Sequence, residues 1–368
     1  MGGQTGFWYD EKCFWHSGGN YALVLPVGGY VQPQAAGGLA ESPETKRRLK
    51  NLMEVSGLLS QLDIRSAPPA SDEDLHLIHT NDYLAEFERL SDSGGGELGE
   101  HAPFGQGSYE IAALSAGLAK GAVGAVLAGE QRNAYALSRP PGHHCLASEP
   151  MGFCVLANIA IAVEAHLAAG AANKVAIVDW DVHHGNGTEA IFYERGDVLT
   201  ISMHQDNNFP PASGGFEARG QGAGEGFNMN IPLQPGGGHD AYSYAMERIV
   251  VPQVRAFAPD IIVVASGFDA SGFDPLSRML ASSETFAMMT RELMAVADET
   301  CDGRLVLVHE GGYSEAAVPF CGHATIAALG GIDVGLKDPT LERFQRQQPN
   351  ERMRALQRTI IDEMAEAI

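Results

Sequence analysis

Val175-Ala-Ile-Val178 followed at once by Asp179-Trp-Asp-Val-His-His-Gly185 is the stretch that decides the fold. A short β-branched run that ends in a polar cluster reads as a strand buried in a parallel sheet. Such sheets carry their chemistry at the carboxyl ends of the strands. The design recurs. Ile261-Ile-Val-Val-Ala265 leads into Ser266-Gly-Phe-Asp269, Leu305-Val-Leu-Val308 into His309-Glu-Gly-Gly-Tyr313, and Val198-Leu-Thr-Ile201 into Ser202-Met-His204. These segments deliver Asp179, Asp181, His183, Asp269 and Tyr313 to one edge of one sheet, which is the parts list of a metal hydrolase.

Between the strands lie Ala-rich stretches, the βαβ pattern of an α/β protein. Helices are expected over 108–130, 158–169, 188–194, 241–257 and 284–298, and in a charged C-terminal tail, 339–368. In the first of these, Ala112, Ala113, Ala116, Gly117, Gly121 and Gly124 permit close packing. The Gly-rich stretches 91–107, 210–226 and 235–238 read as loops, and the first two are long enough to shape a substrate rim. No repeat and no linker divides the chain, so residues 1–368 are read as one domain with its core over about 5–331.

The 368 residues are 45% hydrophobic and 19% charged, enough for a large core. The net charge of -22, from 24 basic and 46 acidic residues, argues against a nucleic-acid surface and favours cationic partners. Cys13, Cys145, Cys154, Cys301 and Cys321 are odd in number and match no zinc knuckle, so they read as reduced, buried thiols of a cytoplasmic protein. The N-terminus has no signal-peptide pattern. The apolar stretch 159–169, broken by Glu164 and His166, is too short to span a bilayer.

Asp181 and His183, two apart in an extended segment, face the same side. With Asp269 from another strand end they offer one imidazole and two carboxylates, a plausible open site for zinc. An all-carboxylate set would favour magnesium instead. In Arg139-Pro-Pro-Gly-His-His144 the adjacent histidines sit on a rigid loop, where imidazole suits acid/base work near neutral pH. Asp179 is placed to accept from one of those rings and fix its tautomer. The glycines of Glu310-Gly-Gly-Tyr313 let the backbone bend so that the phenol reaches over the strand ends and donates to an oxyanion. Phe153 and Phe209 read as core aromatics or as the walls of a narrow apolar tube.

Taken together these motifs, with Met151-Gly-Phe-Cys154 and the extended Asp179-Trp-Asp-Val-His-His-Gly-Asn-Gly-Thr188, resemble the histone deacetylase superfamily, which also contains acetylpolyamine amidohydrolases. The likeness runs from about Thr5 to about Gly331, with weaker matches at Tyr9-Asp10, Trp15-His16 and His79 before Asp82-Tyr83-Leu84. The Arg-Pro-Pro-Gly-His-His form resembles the class II branch and related bacterial amidohydrolases.

The resemblance implies an arginase-like three-layer α/β/α sandwich around a mainly parallel sheet of about eight strands. It implies zinc on Asp181, His183 and Asp269, His143 paired with Asp179, His144 paired with Asn186, and Tyr313 on the acetyl carbonyl. Gly152, Phe153 and Phe209, with Gly311 and Gly312, would form the acyl-lysine channel. One structural potassium would lie at Asp179, Asp181, His183, Ser202 and Met203, and a second near Phe192, Arg195, Val198 and Phe227. Class I members have Asp where this chain has Asn186, so His144 is expected to be less basic here. Tyr313 is retained where animal class IIa members have His, which argues for catalytic competence.

The expected activity is hydrolysis of an N-acylated amine, an acetyl-lysine side chain before an acetylated polyamine, with no nucleic acid or membrane as partner and a homo-oligomer as one possible assembly. The rival outside enzymes is a catalytically silent acyl-lysine binding module, against which Tyr313, His143 and His144 all stand. A binuclear ureohydrolase is disfavoured because Gly267, Phe268, Ala270 and Ser271 around Asp269 supply no further ligands.

Overall fold

The computed structural model describes residues 4–32 and 38–368. Its centre is a sheet of eight strands: β1 (Gly6–Trp8), β2 (Asp63–Arg65), β3 (Asn133–Ala136), β4 (Val175–Asp179), β5 (Val198–Gln205), β6 (Asn228–Leu233), β7 (Ile261–Ser266) and β8 (Leu305–His309). They lie in the order β6-β5-β4-β7-β8-β3-β1-β2, every pair parallel. The four strands read from the sequence are β4, β5, β7 and β8. They occupy neighbouring positions because their β-branched runs are buried on both faces by helices. Of the other four, β1, β2 and β3 are too short to show a period, and β6, Asn228-Met-Asn-Ile-Pro-Leu233, alternates but carries Pro232, which an edge strand tolerates.

Helices cover both faces, giving the three-layer sandwich. One layer contains the packed pair Ser108–Leu127 and Asn158–Ala168, and the other contains Pro43–Ser56, Ser283–Thr300 and Val318–Gly330. The small residues of Ser108–Leu127 allow close contact: a Cβ at Gly117 would lie 2.1 Å from the Pro68 carbonyl oxygen. Among the described residues this helix, rather than 159–169, is the one long and apolar enough by composition to cross a membrane, but 72% of its apolar window is buried against the rest of the chain. It is a core helix.

Three expected elements differ. The stretch 91–107, expected as a loop, contains an antiparallel hairpin of Gly95–Glu97 with Pro103–Gly105. The helix expected over 241–257 is His239–Ala245, a π-helical turn Met246–Val250 and Val251–Phe257. Pro252 has no N–H to give to Arg248, and the wider turn accommodates the missing bond. The tail forms Leu341–Gln347 and Glu351–Glu366, which pack on the chain's own body. Phe344 is buried against Phe273, with ring centroids 4.6 Å apart, and Ile361 and Met364 join the main core. All five cysteines are free and buried.

Strand register sets up the functional edge. Asp179 at the end of β4 lies opposite Ala265 of β7 and Ser202 of β5, and Ser266 of β7 lies opposite His309 of β8. The chain therefore leaves adjacent strands at one level, and the segments 180–185, 267–271 and 310–313 emerge side by side.

Candidate active site

The loop after β4 brings Asp181 and His183 together, and the loop after β7 adds Asp269. His183 Nδ1 lies 3.1 Å from Asp181 Oδ1 and 3.1 Å from Asp269 Oδ2. One donor atom from each residue falls within 4.8 Å of the other two, and all three residues are buried. Burial and the neighbouring Asp181 push the Asp269 carboxyl up to about 6. Against the same burial, His143 and His183 hold Asp181 low. The cluster thus calls for positive charge among its carboxylates.

Backbone supports the two acids. Val182 N–H donates to Asp269 Oδ1 (2.8 Å) and Gly311 N–H to Asp181 Oδ2 (2.8 Å). A Cβ at Gly311 would lie 2.2 Å from Asp269 Oδ2 and 2.6 Å from Asp181 Oδ2, and one at Gly267 would lie 2.1 Å from Asp181 Oδ2. Glycine is therefore required where the carboxylates converge. Two carboxylate oxygens and one imidazole nitrogen, with an open side toward a channel, fit a catalytic divalent ion of the zinc type.

Beside this group stand His143 and His144, with ring centroids 3.9 Å apart. His143 Nδ1 is 2.9 Å from Asp179 Oδ2, and its Nε2 is 3.7 Å from Asp181 Oδ1. Burial opposes its charge, but Asp181 and Asp179 together overcome that and raise it to about 10. A cation on Asp181 would weaken part of this support. His144 Nδ1 is 2.7 Å from Asn186 Oδ1. Burial, then the neighbouring His143 and His183, lower His144 well below the ordinary range. The two rings thus favour opposite protonation states although they are adjacent in sequence.

Tyr313 stands opposite, its ring 5.7 Å from Phe153 and 6.2 Å from His183. Burial and the acids Asp269 and Asp181 push its phenol well up, so it stays a proton donor. Gly312 before it has φ 122, a conformation that side chains rarely adopt. A cavity of about 220 Å³ descends to these groups between Val24, His101, Gly152, Phe153, Phe209 and Leu276. The Phe209 ring stands edge-on to His144 at 5.1 Å, and a Cβ at Gly152 would lie 2.9 Å from Phe209.

The long loops divide their roles unevenly. His101 and the backbone around it brace the wall: Gly152 N–H donates to Glu100 O and Phe153 N–H to His101 O. The stretch 210–226, in contrast, packs over the outer strands. Ser213 bonds His184, and the carbonyls of Gly214, Gly215 and Ala218 take bonds from His204, Asn230 and Asn228. Its expected role in the rim passes to Asn208 and Phe209 just before it. His204 is engaged there with Ser202 Oγ (2.9 Å), away from the channel.

The residues of the expected potassium sites are also placed. Ser202 and Met203 lie on β5 beside Asp179, and Ser202 Oγ accepts from Gly185 N–H. Phe192, Arg195 and Val198 lie along the turn from Asn186–Phe192 into β5. Arg195 N–H donates to Phe192 O, and Phe227 O accepts from Thr200 N–H.

Three supports escaped the sequence reading. Glu310, fully buried, accepts from Gly142 N–H (2.7 Å) and His143 N–H (3.1 Å) and so fixes the histidine loop. Arg139, also buried, donates to Glu41 (3.0 Å) and to the carbonyls of Cys13 and His16, while Lys46 pairs with the same Glu41 at 2.9 Å. Asp274 accepts from Tyr313 N–H at 2.7 Å. Glu310 and Arg139 lay inside quoted motifs. Their signal was a charge beside a strand end or Pro-Pro turn with no direct chemical task.

A parallel α/β/α sandwich with this polar edge beneath an apolar channel has the parts of a hydrolase site. The sequence model of the histone deacetylase domain matches residues 39–329. The chain is 59% identical over 362 residues to the histone deacetylase-like amidohydrolase of Pseudomonas aeruginosa, covering 98% of this chain and 95% of that one. It is 39% identical to a probable deacetylase of Archaeoglobus fulgidus, covering 81% and 84%. The crystal structure of the HDA15 HD domain superposes with a TM-score of 0.81 at 30% identity, covering 97% and 98%. The chain belongs to the histone deacetylase family.

Proposed function

We propose that this chain is a zinc-dependent deacetylase that hydrolyses the side-chain amide of acetylated lysine. The observation that carries the reading is the channel. Its lining is Val24, His101, His144, Gly152, Phe153, His183, Asn208, Phe209, Leu276 and Tyr313, with no carboxylate among them. A lysine stem is apolar and fits such walls. A polyamine carries a further ammonium, and this lining offers it no counter-charge.

Asp181, His183 and Asp269 would hold the zinc ion, which when bound supplies Lewis-acid polarisation and a more acidic water. His144 serves as base. With its Nδ1–H given to Asn186, its Nε2 is free to accept the proton of the attacking water, a tautomer assigned from the hydrogen-bond network. His143, kept protonated by Asp179, donates to the leaving amine. Tyr313 gives its phenolic proton as a hydrogen bond to the oxyanion. Phe153 and Phe209 hold the acyl-lysine stem and exclude water. Potassium at the carbonyl-bearing turns around β5 belongs to the same proposal, and its sign would be a rise in melting temperature with potassium over sodium.

The test is turnover by zinc-loaded protein of an acetyl-lysine peptide and of acetylputrescine, with metal content measured in parallel. The peptide should be the better substrate by at least about tenfold in kcat/KM, about 1.4 kcal/mol of discrimination. Preference for acetylputrescine would overturn the substrate, and no hydrolysis of either with zinc bound would overturn the activity.

A further inference from the structure

We propose that Asp274 is the positioning residue for Tyr313, and that through it the oxyanion donor and the channel rim are set by one buried acid. The proposal rests on Tyr313 acting as that donor. Asp274 is buried. Its Oδ2 accepts from the backbone N–H of Tyr313 at 2.7 Å, and its Oδ1 accepts from the backbone N–H of Leu276 at 2.9 Å. Leu276 lines the channel and Tyr313 stands at its floor. One side chain therefore spans the loop after β7 and the loop after β8 and ties each to the reaction space.

The loop that bears Tyr313 depends on such ties. Residues 310–314 belong to no helix or strand. Backbone pairing with the neighbouring segment reaches the start of this loop, where Glu310 N–H donates to Ser266 O (3.2 Å) and Phe268 N–H to Gly311 O (3.0 Å); beyond that, Gly311 N–H is held by Asp181 and Tyr313 N–H by Asp274. Between these anchors Gly312, at φ 122, sits in the region open chiefly to glycine, so the chain turns there between the two anchored N–H groups. Asp181 fixes the chain before this turn. Beyond it, among the described residues, the bond to Asp274 is the hydrogen bond that holds Tyr313, whose ring also packs on Phe153. A phenol misplaced by about 1 Å forfeits much of its transition-state hydrogen bond, at a cost of up to about a hundredfold.

A plain structural reading is available: residues 274–276 form an Asx-type turn, and Asp274 N–H donates to Ser271 O at 2.9 Å. The two readings separate in a double-mutant cycle on zinc-loaded enzyme. Asp274→Ala should lower kcat about a hundredfold with KM changed less than about threefold. Asp274→Asn, which keeps one acceptor, should lose about tenfold. In a Tyr313→Phe background, neither change should cost more than about threefold further, because the group they position is gone. The full Asp274 loss persisting in that background would overturn the proposal, as would a loss confined to KM. Near-normal activity of Tyr313→Phe alone would instead overturn the reading of Tyr313. Metal content and melting temperature are measured on every variant. Should Asp274→Ala not fold, the cycle with Asp274→Asn decides by the same criterion.

Discussion

Glu310→Gln is predicted to stabilise the metal-free protein, and to do so more as the pH rises. Glu310 is fully buried, and its Oε2 carries the N–H groups of Gly142 and His143 while its Oε1 has no hydrogen-bond partner among the described residues. Burial raises its carboxyl from 4.5 to about 7, with Asp179 and Asp181 adding to the rise and His143 and the Gly142 N–H opposing it. An acid that holds its proton more tightly when folded stabilises the fold below its unfolded value. That contribution is lost as the pH climbs through about 7. The rise, at about 1.4 kcal/mol per pH unit, amounts to about 3 kcal/mol of destabilisation once Glu310 is ionised in both states. Glutamine has the same shape, keeps a carbonyl oxygen for the two N–H groups and never ionises. Its advantage should be about 1 kcal/mol at pH 5.5 and grow by about 2 kcal/mol by pH 8.5. Urea denaturation of chelator-treated parent and variant at the two pH values reads this directly. A difference that stays flat with pH, or a parent that is the more stable at pH 8.5, would refute the reasoning. Either result would mean that Glu310 is ionised in the fold and that its attraction to His143 outweighs burial.

Two further outcomes follow from the same geometry. Tyr313→Phe keeps the ring contact with Phe153 and removes only a hydroxyl facing the channel, so kcat should fall roughly a hundred- to a thousandfold while zinc content and melting temperature barely change; turnover within tenfold of the parent would count against Tyr313 as oxyanion donor. Gly311→Ala drives a methyl group between the carboxylates of Asp269 and Asp181, so zinc affinity should fall at least about tenfold while far-UV circular dichroism is retained, and a full complement of metal after dialysis would show that the ligands do not converge as described.

The linear chain by itself determined the sheet and most of its working edge. Strands buried on both faces favour β-branched runs, and β4, β5, β7 and β8 announce themselves by that composition. Local spacing placed Asp181 beside His183, and the Pro-Pro-Gly turn put His143 beside His144. The short strands β1, β2 and β3 were silent because three or four residues carry no period, and Pro252 hid a π-turn within what reads as one helix. Tertiary structure decided what no spacing encodes. It put Glu310 under the histidine loop, Asp274 under Tyr313, and the Glu41 carboxylate against Arg139, contacts that join residues far apart in the chain. It also gave adjacent histidines opposite charge preferences, because His143 faces Asp179 and Asp181 whereas His144 faces a neutral amide and two other rings. Residue type and order fix which groups reach the strand ends. Burial and the fields of their neighbours, which exist only once the strands are assembled, fix what each group does there.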